Sequence, residues 1–375
     1  MELEEQAVIV LDVGTYSSKC GFAGDDAPRA VFKTQVGRPR VAGIMVGLEM
    51  RDAYVGTDAV SNRGVLDISY PVQNRSVTNW DDMTKIWHNA FYQELQVAPE
   101  EHPVLLSEPP LTSDKDKEQV MELMFEDFSV PAYYGCMAPA LGLFATGATT
   151  GLAVDSGEGG THTVPVYEGY SCVHAINSLK FSGEALTRHL RDLLDERGYS
   201  FTTPKDLDIV RDIKERLCYI SEDYSTELKN EEESAQCDMF YELPSKHTIL
   251  VKGERFKSAE ALFKPELFGI KDDGIHHKVF QSIMKCDQDI RKDMYSKILL
   301  VGGTTLLPGL KERLRKEVLG LAPVGTRPQV VDPPEREYSV WEGGSILASL
   351  NTFHHMCITK EKYEEHGFRI IHYKC

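Results

Sequence analysis

Two stretches of the sequence combine an apolar strand pattern, an aspartate and a glycine turn. Together these residues can bind a phosphate group. Residues 7–11 lead into Asp12, and further along the chain residues 151–154 lead into Asp155. Glycine has no Cβ, so backbone N–H groups in such turns can approach an anion closely. Lys19 follows the first turn and can reach a phosphate as a point charge.

The two aspartates predict a site for a divalent cation. Asp12 and Asp155 stand at equivalent strand ends, and carboxylates beside a polyphosphate commonly hold Mg²⁺ through water. A third glycine turn follows the apolar run 298–301, and Pro308 is predicted to open a helix after it. None of the turns is a P-loop or a G-x-G-x-x-G unit. The alternative for each single turn is an ordinary tight turn without a ligand.

These residues need a framework of strands and helices to position them. Each aspartate-bearing strand is predicted to return as a hairpin, the second through 161–167, so the fold is expected to be duplicated. Helical spacing predicts helices over 79–95, capped by Thr78, and over 183–197. The acidic, Ser-rich stretch 222–238 is interpreted as a surface loop.

Length and composition exclude several classes of protein. The chain has 375 residues, a formal net charge of −17 and 42% hydrophobic residues, which indicates two or three folded domains. The acidic balance argues against nucleic acid and against an anionic membrane surface as partners. No apolar run approaches the ~20 residues of a membrane span. Eight scattered cysteines without zinc-type spacing indicate free thiols in a reducing cytosol.

Several long strings of residues are specific enough to indicate a family. These segments are 21–32, 36–40, 79–83, 100–103, 209–215, 333–336, 338–341 and 343–350. With them the chain resembles the actin family along essentially its whole length. More distant sugar kinases and Hsp70 ATPase domains would share only the glycine turns.

The resemblance implies an α/β, actin-like duplicated two-domain fold with a nucleotide cleft between the halves. The outer domain would be 1–145 plus 338–375, with a small polymerisation-loop subdomain at 34–70. The inner domain would be 146–337, with a small subdomain inserted at 182–270. ATP or ADP would be bound with Mg²⁺, with Ca²⁺ as an alternative in vitro.

Site residues also follow from the resemblance. His162, Asp155 and Asp12 would be catalytic, and the two aspartates would hold the metal through water. The nucleotide would be bound by Gly14, Thr15, Tyr16, Lys19, Ser156, Gly157, Glu158, Gly159, Gly183, Lys214, Glu215, Gly303, Thr304, Leu307 and Glu337.

Some positions depart from the family pattern. Ala138 replaces a glutamine that, with the residue matching His162, orients the attacking water, and alanine cannot hydrogen-bond water. Slow or altered hydrolysis with retained nucleotide binding is therefore expected. Other substitutions would change how closely the site fits the nucleotide. They are Tyr16 for a glycine, Glu158 for an aspartate, Leu307 for an aromatic residue and Glu337 for a lysine.

The resemblance also implies surfaces for assembly and for partners. Self-assembly into filaments would use the apolar loop tip 43–48 and an inter-strand plug at 267–270. Glu342 replaces an isoleucine at the rim of the family's partner cleft, so weaker binding of apolar partner helices is expected. Actin-binding proteins would contact Phe144, Gly147, Thr149, Ile346, Leu347, Leu350 and Met356.

Three functional hypotheses follow. The first is a cytoplasmic, cytoskeletal, ATP-binding protein that forms actin-type filaments and is a weak, polymerisation-coupled ATPase. The second is an actin-related protein that serves as a non-polymerising, nucleotide-bound subunit of a larger complex. The third is a sugar or acetate kinase on the same fold, which the short chain disfavours. No nucleic acid partner and no membrane insertion are expected.

Overall fold

The protein is represented by a computed structural model that describes residues 6–40, 51–234 and 238–370. The chain falls into two compact units, Met1–Thr149 with Tyr338–Cys375 (unit 1) and Thr150–Glu337 (unit 2). No helix in the described part of the chain combines the length and apolarity that a membrane span needs.

The strands of both units are short, and the strands at the centre of each main sheet are the most deeply buried. In chain order they are β1 (Ile9–Val13), β2 (Ser17–Phe22), β3 (Ala30–Lys33), β4 (Val36–Pro39), β5 (Tyr54–Val55), β6 (Leu66–Ser69), β7 (Val72–Gln73), β8 (Ser76–Val77), β9 (Val104–Glu108), β10 (Ala132–Met137), β11 (Gly151–Ser156), β12 (Thr161–Tyr167), β13 (Tyr170–Ser171), β14 (Asn177–Leu179), β15 (Met239–Glu242), β16 (Thr248–Val251), β17 (Ile298–Val301), β18 (Val330–Val331) and β19 (Ile358–Thr359).

The α-helices connect these strands. They are α1 (Gly56–Ser61), α2 (Trp80–His88), α3 (Asp114–Glu122), α4 (Ala138–Ala145), α5 (Gly183–Glu196), α6 (Pro204–Leu217), α7 (Tyr224–Glu233), α8 (Glu254–Glu260), α9 (Ile275–Lys285), α10 (Arg291–Ser296), α11 (Leu310–Leu321), α12 (Ser339–Ala348), α13 (Phe353–Met356) and α14 (Lys360–His366).

Each unit contains a six-stranded sheet with the same arrangement at its centre. In unit 1 the order is β19-β10-β9-β1-β2-β3, with β1 antiparallel to β2 and parallel to β9. In unit 2 the order is β13-β12-β11-β17-β18, with β14 also paired to β12. There β11 is antiparallel to β12 and parallel to β17. Both units therefore contain the hairpin that the sequence predicts, and in each unit a parallel strand lies beside it.

Continuous apolar runs explain the burial of the central strands. All residues of β11 and β17 are buried, as is typical of parallel strands covered by helices on both faces. The helices α5, α6, α9 and α11 of unit 2 pack their apolar faces onto the core that contains these strands. The core of unit 1 is built likewise around β1 and β9, with Trp87 and Phe91 fully buried in it.

Two elements differ from the sequence-based expectation. The helix expected over 79–95 is α-helical only as α2, and Asn89–Leu95 continues it with π-helical turns. Its cap is Asn79, whose side chain accepts a hydrogen bond from the Asp82 N–H at 3.1 Å. The expected cap, Thr78, donates its hydroxyl to a backbone carbonyl instead.

The stretch 222–238, interpreted from its sequence as a surface loop, contains the helix α7. Asp223 caps this helix by accepting from the Thr226 N–H at 3.0 Å. None of its residues is buried. This helix has no apolar stripe and is supported by its cap and its acidic first turn. The acidic, Ser-rich composition that suggested a loop is therefore compatible with an exposed helix.

Candidate functional site

The hairpin of unit 1 holds Asp12 at the end of β1. Asp12 is 8% exposed, and its carboxylate accepts hydrogen bonds from Lys19 Nζ at 2.9 Å and from Ser107 Oγ at 2.6 Å. Lys19 is the register partner of Asp12 on β2, and Ser107 lies on the adjacent parallel strand β9. Two donors thus compensate for the burial of this charge.

The turn that joins β1 to β2 contains an unsatisfied polar group. The Gly14 N–H donates to the Ser17 carbonyl at 3.0 Å, which makes the turn tight. Thr15 Oγ1 is buried and has no hydrogen-bond partner within the described residues. Buried hydroxyls are usually satisfied, so this group fits a bound anion at the turn. Tyr16 completes the turn, and Gly14, Thr15, Tyr16 and Lys19 therefore lie in one hairpin.

The hairpin of unit 2 places Asp155 beside His162. Asp155 is 5% exposed near the end of β11, and His162 is its register partner on β12. Side chains directly opposite on antiparallel strands share a face, with Cβ atoms ~4.5–5.5 Å apart. The turn is closed by the Gly157 N–H, which donates to the Gly160 carbonyl at 3.0 Å. Ser156 and Thr161 join their hydroxyls at 2.7 Å at the base of the turn.

A third turn follows β17 and joins the second. Gly302 has φ +90°, and a Cβ there would lie 2.5 Å from the Ser156 carbonyl oxygen, so only glycine fits. Thr304 Oγ1 donates to the Gly157 carbonyl at 3.0 Å. Gly303 begins the single helical turn that contains Thr304. The expected helix begins at Leu310, after Pro308 and the N-cap Gly309.

A buried charge cluster borders these turns in unit 2. Arg211 donates to Glu158 Oε1 from Nε at 3.2 Å and from Nη2 at 2.9 Å. Lys214 Nζ lies 3.7 Å from Glu158 Oε2 and donates to the Gly183 carbonyl at 2.8 Å. Burial lowers the pKa of Lys214, and the Glu158 carboxylate offsets part of that effect. The longer side chain of glutamate, compared with aspartate, thus reaches two cations.

Gly183 connects this cluster to the turns. Its N–H donates to the Gly157 carbonyl at 2.9 Å. A Cβ on Gly183 would lie 2.5 Å from Glu158 Oε2 and 2.7 Å from Thr304 Oγ1. A methyl group at this position would have to displace both side chains, so glycine fits best where α5 begins against the turns.

The remaining predicted residues of unit 2 lie beside this group. Gly159 is part of the second turn, and Glu215 follows Lys214 but is exposed. Glu337 is exposed and follows Arg336, whose carbonyl accepts from the Gly302 N–H at 3.0 Å. Leu307 is 7% exposed and belongs to the core of the unit.

Two residues with polar contacts in these groups were not predicted as site residues. Ser107 donates to Asp12, and Arg211 holds Glu158. Arg211 precedes Lys214 by three residues on α6, so helical spacing would have placed both on one face. No local signal marks Ser107, because its role depends on the pairing of β9 with β1.

Ala138 stands where β10 passes into a helix. It is the first residue of α4, its side chain is 9% exposed, and Pro139 follows in the first turn. A proline fits there, since the first N–H groups of a helix have no intrahelical acceptor. The methyl group of Ala138 offers no hydrogen bond to a ligand or a water.

A family comparison accounts for the two matched hairpins. The sequence model of the actin family, described as Actin, matches residues 3–375. The chain belongs to the actin family. Proteins of this family generally bind and hydrolyse ATP with a divalent cation, and the α/β fold with its two duplicated sheets agrees with the membership.

The expected partner surface, the set of residues predicted to contact actin-binding proteins, lies within unit 1, along α4 and α12. The two helices approach closely, since a Cβ at Gly343 would lie 1.7 Å from the Leu141 carbonyl oxygen. Ile346 and Leu350 are 48% and 49% exposed, and Glu342 is half-buried on α12. The surface also includes the exposed Gly147 and Thr149 and the half-buried Phe144, Leu347 and Met356.

The segment that matches the actin-family plug is only partly exposed. Leu267 is 52% exposed, whereas Phe268 and Ile270 pack against the core of unit 2. The ring of Phe268 lies 4.1 Å from that of His189, centroid to centroid. The apolar tip expected at 267–270 is therefore a single exposed leucine. The expected polymerisation loop tip, 43–48, lies outside the described residues.

Proposed function

We propose that this protein binds ATP and assembles into actin-type filaments, with slow or altered polymerisation-coupled hydrolysis. The observation that carries the proposal is the repeated hairpin, with a buried aspartate near the end of the first strand in each unit. The unpartnered Thr15 hydroxyl fits a ligand at the first turn.

The residues of each unit have distinct tasks in this proposal. Lys19 and the turn 14–16 bind phosphates in unit 1, and Lys19 also holds the Asp12 carboxylate in place. In unit 2 the turn 156–159 binds phosphates, while Gly183, Lys214, Glu215, Gly303, Thr304, Leu307 and Glu337 form the adenosine side.

Asp12 and Asp155 would hold Mg²⁺ or Ca²⁺ through water. Within the described residues no group of three or more His, Cys, Asp or Glu side chains is placed to bind a metal directly. When bound, the cation neutralises charge on the phosphates. Carboxylate oxygens are suitable partners for such a hydrated ion.

Slow hydrolysis is proposed because Ala138 stands where the family pattern has a glutamine. His162, beside Asp155, is the group left to position the attacking water. Ala138 contributes no second hydrogen bond, and loss of one positioning group typically lowers a rate by ~10²–10⁴-fold. Binding is expected to persist, because the turn residues and Lys19 do not depend on Ala138.

A specific observation favours a second candidate, a nucleotide-bound subunit of a larger complex. Phe268 and Ile270 pack against the core of unit 2, so Leu267 remains as the exposed apolar residue of the plug. Glu342 adds a charge to the partner surface on α12. Both features weaken contacts that filament subunits and actin-binding helices would use. We propose the filament as the first candidate because the sequence keeps the apolar residues of the loop tip 43–48 and of the plug 267–270.

High-speed sedimentation with Mg²⁺ and ATP at moderate salt tests the proposal. Salt is needed because a charge of −17 per chain repels neighbouring copies unless it is screened. A pellet above a critical concentration, reduced by Leu267→Asp but not by Lys115→Gln, supports filament formation. ATP-bound protein that stays in the supernatant supports the complex subunit. Phosphate release at the rate of a conventional actin contradicts slow hydrolysis.

A further inference from the structure

A second lysine, Lys33, lies at the phosphate turn of unit 1. Its Nζ is 4.6 Å from the centroid of the Tyr16 ring, and Tyr16 is the turn residue that replaces a glycine of the family pattern. Lys33 ends β3 and is the register partner of Ser17, the first residue after the turn. A lysine over a tyrosine ring is attracted by the ring quadrupole, which orients the ammonium group.

The two lysines near this turn differ in whether a nearby carboxylate balances their charge. Lys19 is 13% exposed and forms an ion pair with Asp12 at 2.9 Å, so an aspartate already balances its charge. Lys33 is half-buried, and no ion pair of Lys33 occurs in residues 6–40, 51–234 and 238–370. Its positive charge is therefore available to an anion at the turn.

The backbone holds Tyr16 in place for this contact. The Thr34 N–H donates to the Tyr16 carbonyl at 3.0 Å, and Thr34 Oγ1 is joined to Ser18 Oγ at 2.8 Å. Both bonds involve Thr34, the residue after Lys33, and they attach the end of β3 to the turn. The buried, unpartnered Thr15 hydroxyl lies next to Tyr16 in the chain and independently indicates a ligand at this turn.

We propose that Lys33, positioned by the Tyr16 ring, is an additional phosphate-binding residue that favours ATP over ADP. The inference rests on the proposed ATP binding and specifies which residues of this chain set its selectivity. ATP carries one more phosphate group than ADP, so a cation without a counter-charge at the turn attracts ATP more strongly. Tyr16 is a positioning residue in this arrangement, because it acts through Lys33.

Equilibrium binding of ATP and ADP to the purified monomer tests the proposal. We expect Lys33→Gln to weaken ATP binding about tenfold, the lower end for hydrogen bonds to charged groups, and ADP binding less than about threefold. Lys33→Arg, which keeps the charge and can stack on the ring, should restore the preference. Lys115→Gln removes the same charge from an exposed site on α3 and should change neither affinity.

Two further measurements separate a role at the ligand from a structural one. The effect of Lys33→Gln should shrink between 0.1 M and 1 M salt, where the Debye length falls from about 10 Å to about 3 Å. Tyr16→Leu should reproduce part of the loss, and adding it to Lys33→Gln should cost less than the sum of the single changes.

The outcomes are distinct from those of the proposed function. Equal losses for ATP and ADP, or no loss, in a wild-type protein that binds both would overturn the role of Lys33 and leave ATP binding intact. Additive losses for the Tyr16 and Lys33 variants would overturn the positioning role of Tyr16. A folded wild-type protein that binds neither nucleotide would refute the proposed function itself.

Discussion

Replacing Ala138 with glutamine should accelerate ATP hydrolysis by this protein. Ala138 is the first residue of α4 and is 9% exposed, so a longer polar side chain there would be largely shielded from bulk water. A positioned hydrogen-bonding group typically contributes ~10²–10⁴-fold to such a step. We therefore expect phosphate release from Ala138→Gln to be at least about 10²-fold faster than from the wild type, with nucleotide affinity little changed.

The same burial predicts a cost in stability. Inserting atoms into a packed site usually costs ~1–3 kcal/mol, and each kcal/mol lowers the Tm of a domain of this size by ~2–4 °C. Ala138→Met has nearly the same shape as Ala138→Gln but cannot hydrogen-bond water well, so it should share the loss of Tm without the gain in rate.

The assay is single-turnover phosphate release from protein loaded with Mg²⁺ and ATP, measured beside Tm and nucleotide occupancy. A folded, nucleotide-loaded Ala138→Gln protein with the wild-type rate would refute the argument that the missing glutamine limits hydrolysis. Equal acceleration by Ala138→Met would refute it as well, because the gain would then come from packing. Phosphate release by the wild type at the rate of a conventional actin would contradict the premise that its hydrolysis is slow.

Two further predictions concern stability, each with a matched control. Gly183→Ala places a methyl group against Glu158 and Thr304, so chemical denaturation should show ~1–3 kcal/mol less stability, whereas Gly320→Ala has open space on α11 and should gain ~0.5–1 kcal/mol. Unchanged stability of Gly183→Ala would contradict the close approach. Burial raises the pKa of the Asp82 carboxyl, but hydrogen bonds from Arg38 and Ser69 outweigh it and hold that pKa below its ordinary value of 3.8. Asp82→Asn should therefore cost about 2 kcal/mol at pH values above 3.8, and the difference should vanish as the pH falls through the lowered pKa; exposed Asp81→Asn should change stability by less than ~0.5 kcal/mol. A stability difference between the wild type and Asp82→Asn that stays constant down to pH 2 would contradict the ion pair.

Much of the fold could be predicted from local patterns. The hairpin strands that carry Asp12 and Asp155 and the buried strand β17 follow from apolar runs that end in glycine turns. The helix α5 was predicted to within one residue of its observed end, because Leu186, Leu190 and Leu194 form a strong stripe. The helix α7 was missed, since its support comes from capping and not from burial.

The contacts among the predicted site residues could not be predicted from the sequence. The family resemblance pointed to Glu158 and Lys214 but not to the ion cluster that Arg211 completes, because that cluster depends on how α6 packs against the second turn. Asn79 rather than Thr78 caps α2 because the cap is decided by backbone conformation at the helix entry. The plug was predicted as exposed, and its burial of Phe268 depends on an aromatic contact with His189 from another element.

The two hairpins share a topology but differ at one register position, and this difference bears on the proposed mechanism. Asp12 is opposite Lys19 in unit 1, whereas Asp155 is opposite His162 in unit 2. A lysine there supplies a fixed charge, and an imidazole can accept or donate a proton near neutral pH. We therefore propose that both hairpins bind phosphate, that Lys19 adds a positive charge in unit 1, and that His162 positions water in unit 2. Ala138 belongs to neither hairpin, because it begins α4 after β10. The alanine at position 138 should therefore slow ATP hydrolysis without weakening nucleotide binding. Replacing it should change the hydrolysis rate and leave the nucleotide affinity unchanged.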